Sequence, residues 1–234
     1  MINKIYFSNR IIKIILLSFI IFFLKQTDAA PVPSVQLTYA YLFDPVCSNH
    51  TAYTISSSLI NELDKKLPEW QSKWNNEGKS LLNAAVKIVG KPFPQNNYIV
   101  PLSLCNFPSM SEPLMVNVRY SLNAFTGKNI DTNLTISIIE HEILHTYIDS
   151  FLLKNTPLLE KYRNESQTVL SHLHLFALQT AIYKSLNQNT ILRSVILKDT
   201  SLPNSEYKRA WEIVNKEGYV PFINELKNIR PKSK

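Results

Sequence analysis

An α+β fold is predicted by three features of the chain. Strand-like alternation is confined to the first half, helical periodicity fills the second, and no internal repeat or low-complexity tract joins them. The 234 residues are 45% apolar and 18% charged, which suits one buried core and is too few charges for a disordered chain. Only 4 glycines are present, and no G-x-G-x-x-G or G-x-x-x-x-G-K pattern, so a Gly-rich phosphate loop has little to stand on.

The elements are taken in chain order. Residues 1–29 read as a secretory signal: Lys4, Arg10 and Lys13 form a positive start, and Ile14 to Leu24 is an uncharged apolar run too short to span a membrane. Thr27-Asp28-Ala29 offers small residues for cleavage after Ala29, which leaves a single domain, 30–234, with no stable membrane span. Val35 to Phe43 alternates as a strand ended by Asp44-Pro45. Ser56 to Lys66 is helical, and a second helix is expected from Pro68, a good first helical position, to Val89, with Gly90 as its stop. Strands are expected at Tyr98–Leu104 and Leu114–Leu122, then a loop around Gly127. Asp131 or Thr132 caps a helix reaching Phe151, Pro157 opens a short one, and a long helix starts at Asn164 or earlier and runs to Leu186. Weaker helical patterns cover Thr190–Lys198 and Ser205–Lys216, and the basic tail from Arg230 is expected to fray.

Charge and cysteines narrow the setting. The full chain carries 25 basic and 18 acidic side chains; removing residues 1–29 takes four basic and one acidic group and leaves a net +4 without a dense Lys/Arg run. That gives no case for nucleic acid. An exported protein meets oxidising conditions, so Cys47 and Cys105 are expected to pair. Localisation is expected to be periplasmic or extracellular.

The chemistry is concentrated at His141-Glu142-Ile143-Leu144-His145. Residues i and i+4 share a helix face, so two neutral imidazoles can hold one zinc ion there, and Glu142 beside them can move a proton. Four of the five histidines fall between 141 and 174. These residues and their helical setting resemble the zincin metallopeptidases. The resemblance implies a zincin-like fold with an edge strand, here Leu114–Leu122, before the metal helix. It also implies one Zn2+ per chain, a water nucleophile with Glu142 as base, and a peptide or protein substrate held along the edge strand.

A third ligand must come from downstream. The metzincin pattern is absent, because Ile148 stands where its glycine would be and no His occurs in the twenty-six residues after His145. Asn164-Glu165, twenty residues past His145, resembles the Asn-Glu pair of the thermolysin-like gluzincins, although Thr168 and Val169 stand where that group has a small residue and an Asp. Glu165 is the first choice by spacing. His172, seven residues later and on the same face of a continuous helix, is the alternative. His174 points away and reads as a core histidine bonded to a backbone carbonyl. Asp149 could orient an imidazole, and Tyr147, Tyr207 and Tyr219 are candidates to steady an oxyanion. The expected activity is zinc-dependent peptide hydrolysis; a non-catalytic exported zinc-binding or partner-binding protein is the alternative.

Overall fold

The computed structural model describes residues 32–152 and 155–229. The expected signal segment and the basic tail from Arg230 lie outside the described residues. Within them the chain is α+β, with a small mixed sheet and a mostly helical C-terminal half.

Strand β1 (Ser34–Tyr39) is shorter than expected. It turns Val35 and Leu37 inward and then gives way to helix α1 (Phe43–Thr51), so the apolar Phe43 opens a helix instead of ending the strand. Buried Asp44, in the first turn of α1, accepts from Ser103 Oγ at 2.5 Å and from the Leu104 N–H at 2.9 Å. These bonds fasten α1 to the end of β2 (Asn97–Ser103). The expected disulfide joins the same two places, Cys47 on α1 and Cys105 just past β2.

The sheet order is β1-β2-β4-β3, with β1, β2 and β4 (Leu114–Asn117) parallel and the two-residue β3 (Met110–Ser111) antiparallel to β4. Pro101 is tolerated in the middle strand for a positional reason. Leu102 accepts from the Ala40 N–H, so even-numbered residues of β2 face β1 and Pro101 faces away. On that side pairing with β4 begins only at Leu102, and no ladder bond is lost. The strand expected to reach Leu122 stops at Asn117, whose side-chain amide bonds the Cys105 and Phe107 carbonyls while its oxygen takes the Arg119 N–H. That side chain turns the chain into a 3-10 turn, Arg119–Ser121. Nor is β4 an edge, since β2 lies on one side and β3 on the other.

Two helices were expected between 56 and 89. The structure has helix α2 (Ser57–Lys73), a π-helical turn at Trp74–Gly78, and α3 (Lys79–Val89) in unbroken succession. Pro68 sits inside α2 instead of opening a new helix. An internal proline costs about 3 kcal/mol. Burial of Leu59, Leu63 and Trp70 along one face offsets that cost at roughly 1.5–3 kcal/mol per large side chain. Gly78 has no alternative at its position, because a Cβ would come within 2.5 Å of the Trp74 ring.

After the short α4 (Asn123–Thr126) come α5 (Thr132–Asp149), α6 (Pro157–Lys161), α7 (Gln167–Ser185), α8 (Asn189–Thr200), α9 (Ser205–Glu217) and α10 (Tyr219–Asn228). Of these, α4 and α10 were not anticipated. Helices α5 and α7 are buried on nearly every side and form the core of this half. Phe176 of α7 stacks on Trp211 of α9, with ring centroids 4.2 Å apart and planes 6° apart. Among the described residues, no helix is long and apolar enough to cross a membrane.

Candidate metal centre

Asp131 starts α5 by accepting the Asn133 N–H, as its sequence position suggests. The helix then carries His141 and His145 one turn apart, their ring centroids 4.9 Å from each other. Ser166 caps α7 by accepting the Val169 N–H, and the first turn and a half brings His172 opposite them. The rings of His145 and His172 are 4.8 Å apart, and those of His141 and His172 5.2 Å. One nitrogen from each of the three lies within 4.8 Å of the others.

The cap explains why the preferred third residue is not in the cluster. With Ser166 outside the helix, Glu165 is not on α7; its N–H closes a turn onto the Tyr162 carbonyl. Its carboxylate is held by Arg209 of α9, through Nε at 3.0 Å and Nη2 at 2.6 Å. Glu165 and His172 therefore share no helix face, contrary to expectation, and His172 is the residue brought to the pair.

One nitrogen pair has the spacing of a tetrahedral site. His145 Nε2 and His172 Nε2 are 3.3 Å apart. Two nitrogens each about 2.05 Å from a tetrahedral centre stand about 3.3 Å apart. The Nδ1 of His172 lies 2.6 Å from the Thr168 carbonyl and must be the protonated nitrogen, which leaves Nε2 with its lone pair free. Burial favours the uncharged ring in all three: His141 is held well below the usual histidine range, His145 is lowered to about 3 and His172 is lowered too. The neighbouring imidazoles push His141 and His145 in the same direction. Neutral imidazole is the ligating form.

Glu142 is buried beside the cluster. Loss of hydration raises its carboxyl to about 8, against a partial offset from Lys198. Of the three tyrosines singled out, Tyr207 is the one at the site, its ring 4.5 Å from His172 and stacked at 6.3 Å on His141. Burial and the Glu142 charge push its hydroxyl above the ordinary tyrosine range, so it stays a proton donor. Tyr147 instead donates to the Lys91 carbonyl at 2.7 Å, and Tyr219 lies under Lys184. Asp149 is exposed and lines a cleft with Thr146, Tyr98 and Glu112. His174 is buried, but its Nε2 meets the Glu225 carboxylate at 2.8 Å, not a backbone carbonyl.

No family model, curated protein or solved structure matches this chain. Its chemistry is therefore read from its own geometry. The cluster sits beneath Tyr207 and not in the surface groove of about 530 Å³ that is lined by Tyr39, Asp44, Tyr53 and Ile60 near the disulfide.

Sequence reasoning missed the polar groups behind the cluster. Glu140, fully buried, accepts from the Tyr183 hydroxyl at 2.5 Å through Oε2, and burial raises its carboxyl to about 8. The carboxamide of Gln179, also fully buried, lies near both Glu140 and His141 and favours the charged form of each. Neither polar atom of Gln179 completes a hydrogen bond, and a buried polar group left unpaired costs about 1–3 kcal/mol. One signal could have found Gln179: it lies seven residues after His172, two helical turns on along the same face.

Proposed function

We propose that the chain is an exported, zincin-type zinc metallopeptidase, with His141, His145 and His172 as the ligands of one Zn2+ and Glu142 as general base. The observation that carries this reading is the convergence of three buried, uncharged imidazoles beside a buried carboxyl that no ion pair claims among the described residues. Zinc bound there supplies Lewis acidity toward a scissile carbonyl and an attacking water. The remaining work falls to side chains. Ionised by the charge of a bound cation, the Glu142 carboxylate would take a proton from water and return it to a leaving amine. Tyr207 can donate a hydrogen bond to charge developing on the substrate oxygen. Export is supported by the apolar N-terminal run and by the disulfide.

A non-catalytic metal-retaining role is the second reading, favoured by the burial of all three imidazoles, none more than 9% exposed. Glu142 weighs against it, since a purely structural site has no use for a buried carboxyl at that place.

The test is metal content and then turnover on a mixed peptide library. Glu142→Gln should keep zinc and lose activity by roughly 10³-fold, on the order of a general base with its electrostatic contribution. A wild type that holds zinc and cleaves nothing supports the metal-retaining role. Full turnover by Glu142→Gln removes the general base from the proposal.

A further inference from the structure

The stripe of α7 that carries His172 continues through Phe176 and Gln179 to Tyr183, at offsets of four, seven and eleven residues. All four face α5, which runs the other way: His145 meets His172 at one end and Glu140 meets Tyr183 at the other. Gln179 thus stands between the cluster and the Glu140–Tyr183 pair.

Three buried polar atoms there have no hydrogen-bond partner: both ends of the Gln179 carboxamide and Oε1 of Glu140. Thr168 anchors the outer nitrogen of His172, and no such anchor is made to His141 among the described residues. The unused groups are complementary. The amide offers one acceptor and two donors, Glu140 Oε1 is an acceptor, and a neutral His141 keeps one ring N–H when its other nitrogen faces a metal.

We propose that Gln179 is a positioning residue for His141: its Oε1 accepts the His141 ring N–H while its Nε2 donates to Glu140 Oε1. The inference rests on the three imidazoles being a metal site. The link runs from the Tyr183 hydroxyl through Glu140 and Gln179 to His141, along the facing sides of two packed helices. It fixes which nitrogen of His141 bears the proton, as the Thr168 carbonyl does for His172. An apolar side chain at 179 would pack without an unpaired amide, so the polar residue has a use only if the link forms.

Zinc affinity of the full chain and of Gln179→Met, an unbranched replacement of similar length, is measured by competition with a chelator. Ring ¹⁵N–¹H spectra of the histidines are recorded with and without zinc. Gln179→Met should bind zinc about ten- to a hundredfold more weakly. In the wild type the zinc form should show one slowly exchanging His141 ring N–H, absent from the variant, with the His172 signal unchanged. Equal affinities together with an unchanged His141 signal overturn the positioning role and leave the metal site standing. A wild type that binds no zinc overturns both. If Gln179→Met folds poorly, the wild-type spectrum decides alone: a His141 ring N–H in free exchange with water rejects the link.

Discussion

Glu165 and His172 show how a single side chain decides which residue enters a site. Both are polar, both lie downstream of the helix-borne pair, and two helical turns separate them in sequence. The Ser166 hydroxyl starts α7 between them, after which Arg209 takes one and the imidazole pair meets the other. His172→Ala should therefore lower zinc affinity by about 10²-fold or more, since one of the three proposed ligands is gone, whereas Glu165→Ala should leave it within about threefold. Isothermal titration with zinc on the two variants checks this, and the reverse order would restore the carboxylate to the site. The pairing of His141 with His145 was legible because their relation is local to one helix. The third position was not, because it depends on where a second helix begins, a boundary set by a cap weaker than the patterns around it.

At the scale of elements, the docking of α10 rests on one carboxylate. Glu225 accepts from buried His174 of α7 and from the Leu158 N–H at the start of α6. Burial alone would raise its carboxyl, but these donors outweigh burial and hold it below the ordinary value. A depressed carboxyl contributes stability above its unfolded value, near 4.3, and loses it as the pH falls through the folded value. Glu225→Gln should therefore cost about 1.5–3 kcal/mol at neutral pH, the range for hydrogen bonds to a charged group, and the gap to wild type should close as the pH falls below about 4. Denaturant titrations at neutral pH and near pH 3.5 measure it; a gap independent of pH would mean that charge is not what the contact uses. Helix α10 escaped sequence reading because its partner groups, His174 and the Leu158 N–H, are more than fifty residues away. Long patterns such as α5 and α7 were legible through their own apolar content, while Pro68 misled because packing of α2 overrode a local preference.

For the molecule as a whole, the disulfide and the Asp44 bonds fasten the N-terminal third at a single point. The sheet is small, with β3 only two residues long and β4 only four, so its cohesion leans on that fastening. Cys47 and Cys105 are 58 residues apart, and closing a loop of that size contributes about 4 kcal/mol in the chain-entropy model. Replacing both by Ser should lower unfolding free energy by an amount of that order. Zinc binding, if the variant stays folded, should persist, because the imidazoles sit between α5 and α7. Guanidinium unfolding with and without reductant tests the first part and a metal assay the second. Pairing was legible from the count of two cysteines and an N-terminal run that reads as an export signal; the α+β class was legible from the division of patterns along the chain. The sheet order was not, since it rests on contacts between strands far apart in the chain.

The π-helical turn at Trp74–Gly78 has a consequence for insertions and deletions. A π turn spans five residues where an α turn spans four, so it holds one residue more than a regular helix needs. Removing Asn76 should let the rod from Ser57 to Val89 run on in α form with the apolar faces of α2 and α3 still aligned to the core. Removing Lys87, inside α3, should instead swing Ile88, Val89 and the chain beyond them by about 100° around the axis. The first deletion should cost little thermal stability and the second should prevent folding, as circular dichroism on the two shortened chains would reveal. The widened turn is then a spare position in the reading frame of the helix, a place where the chain can change its length by one residue without changing its shape.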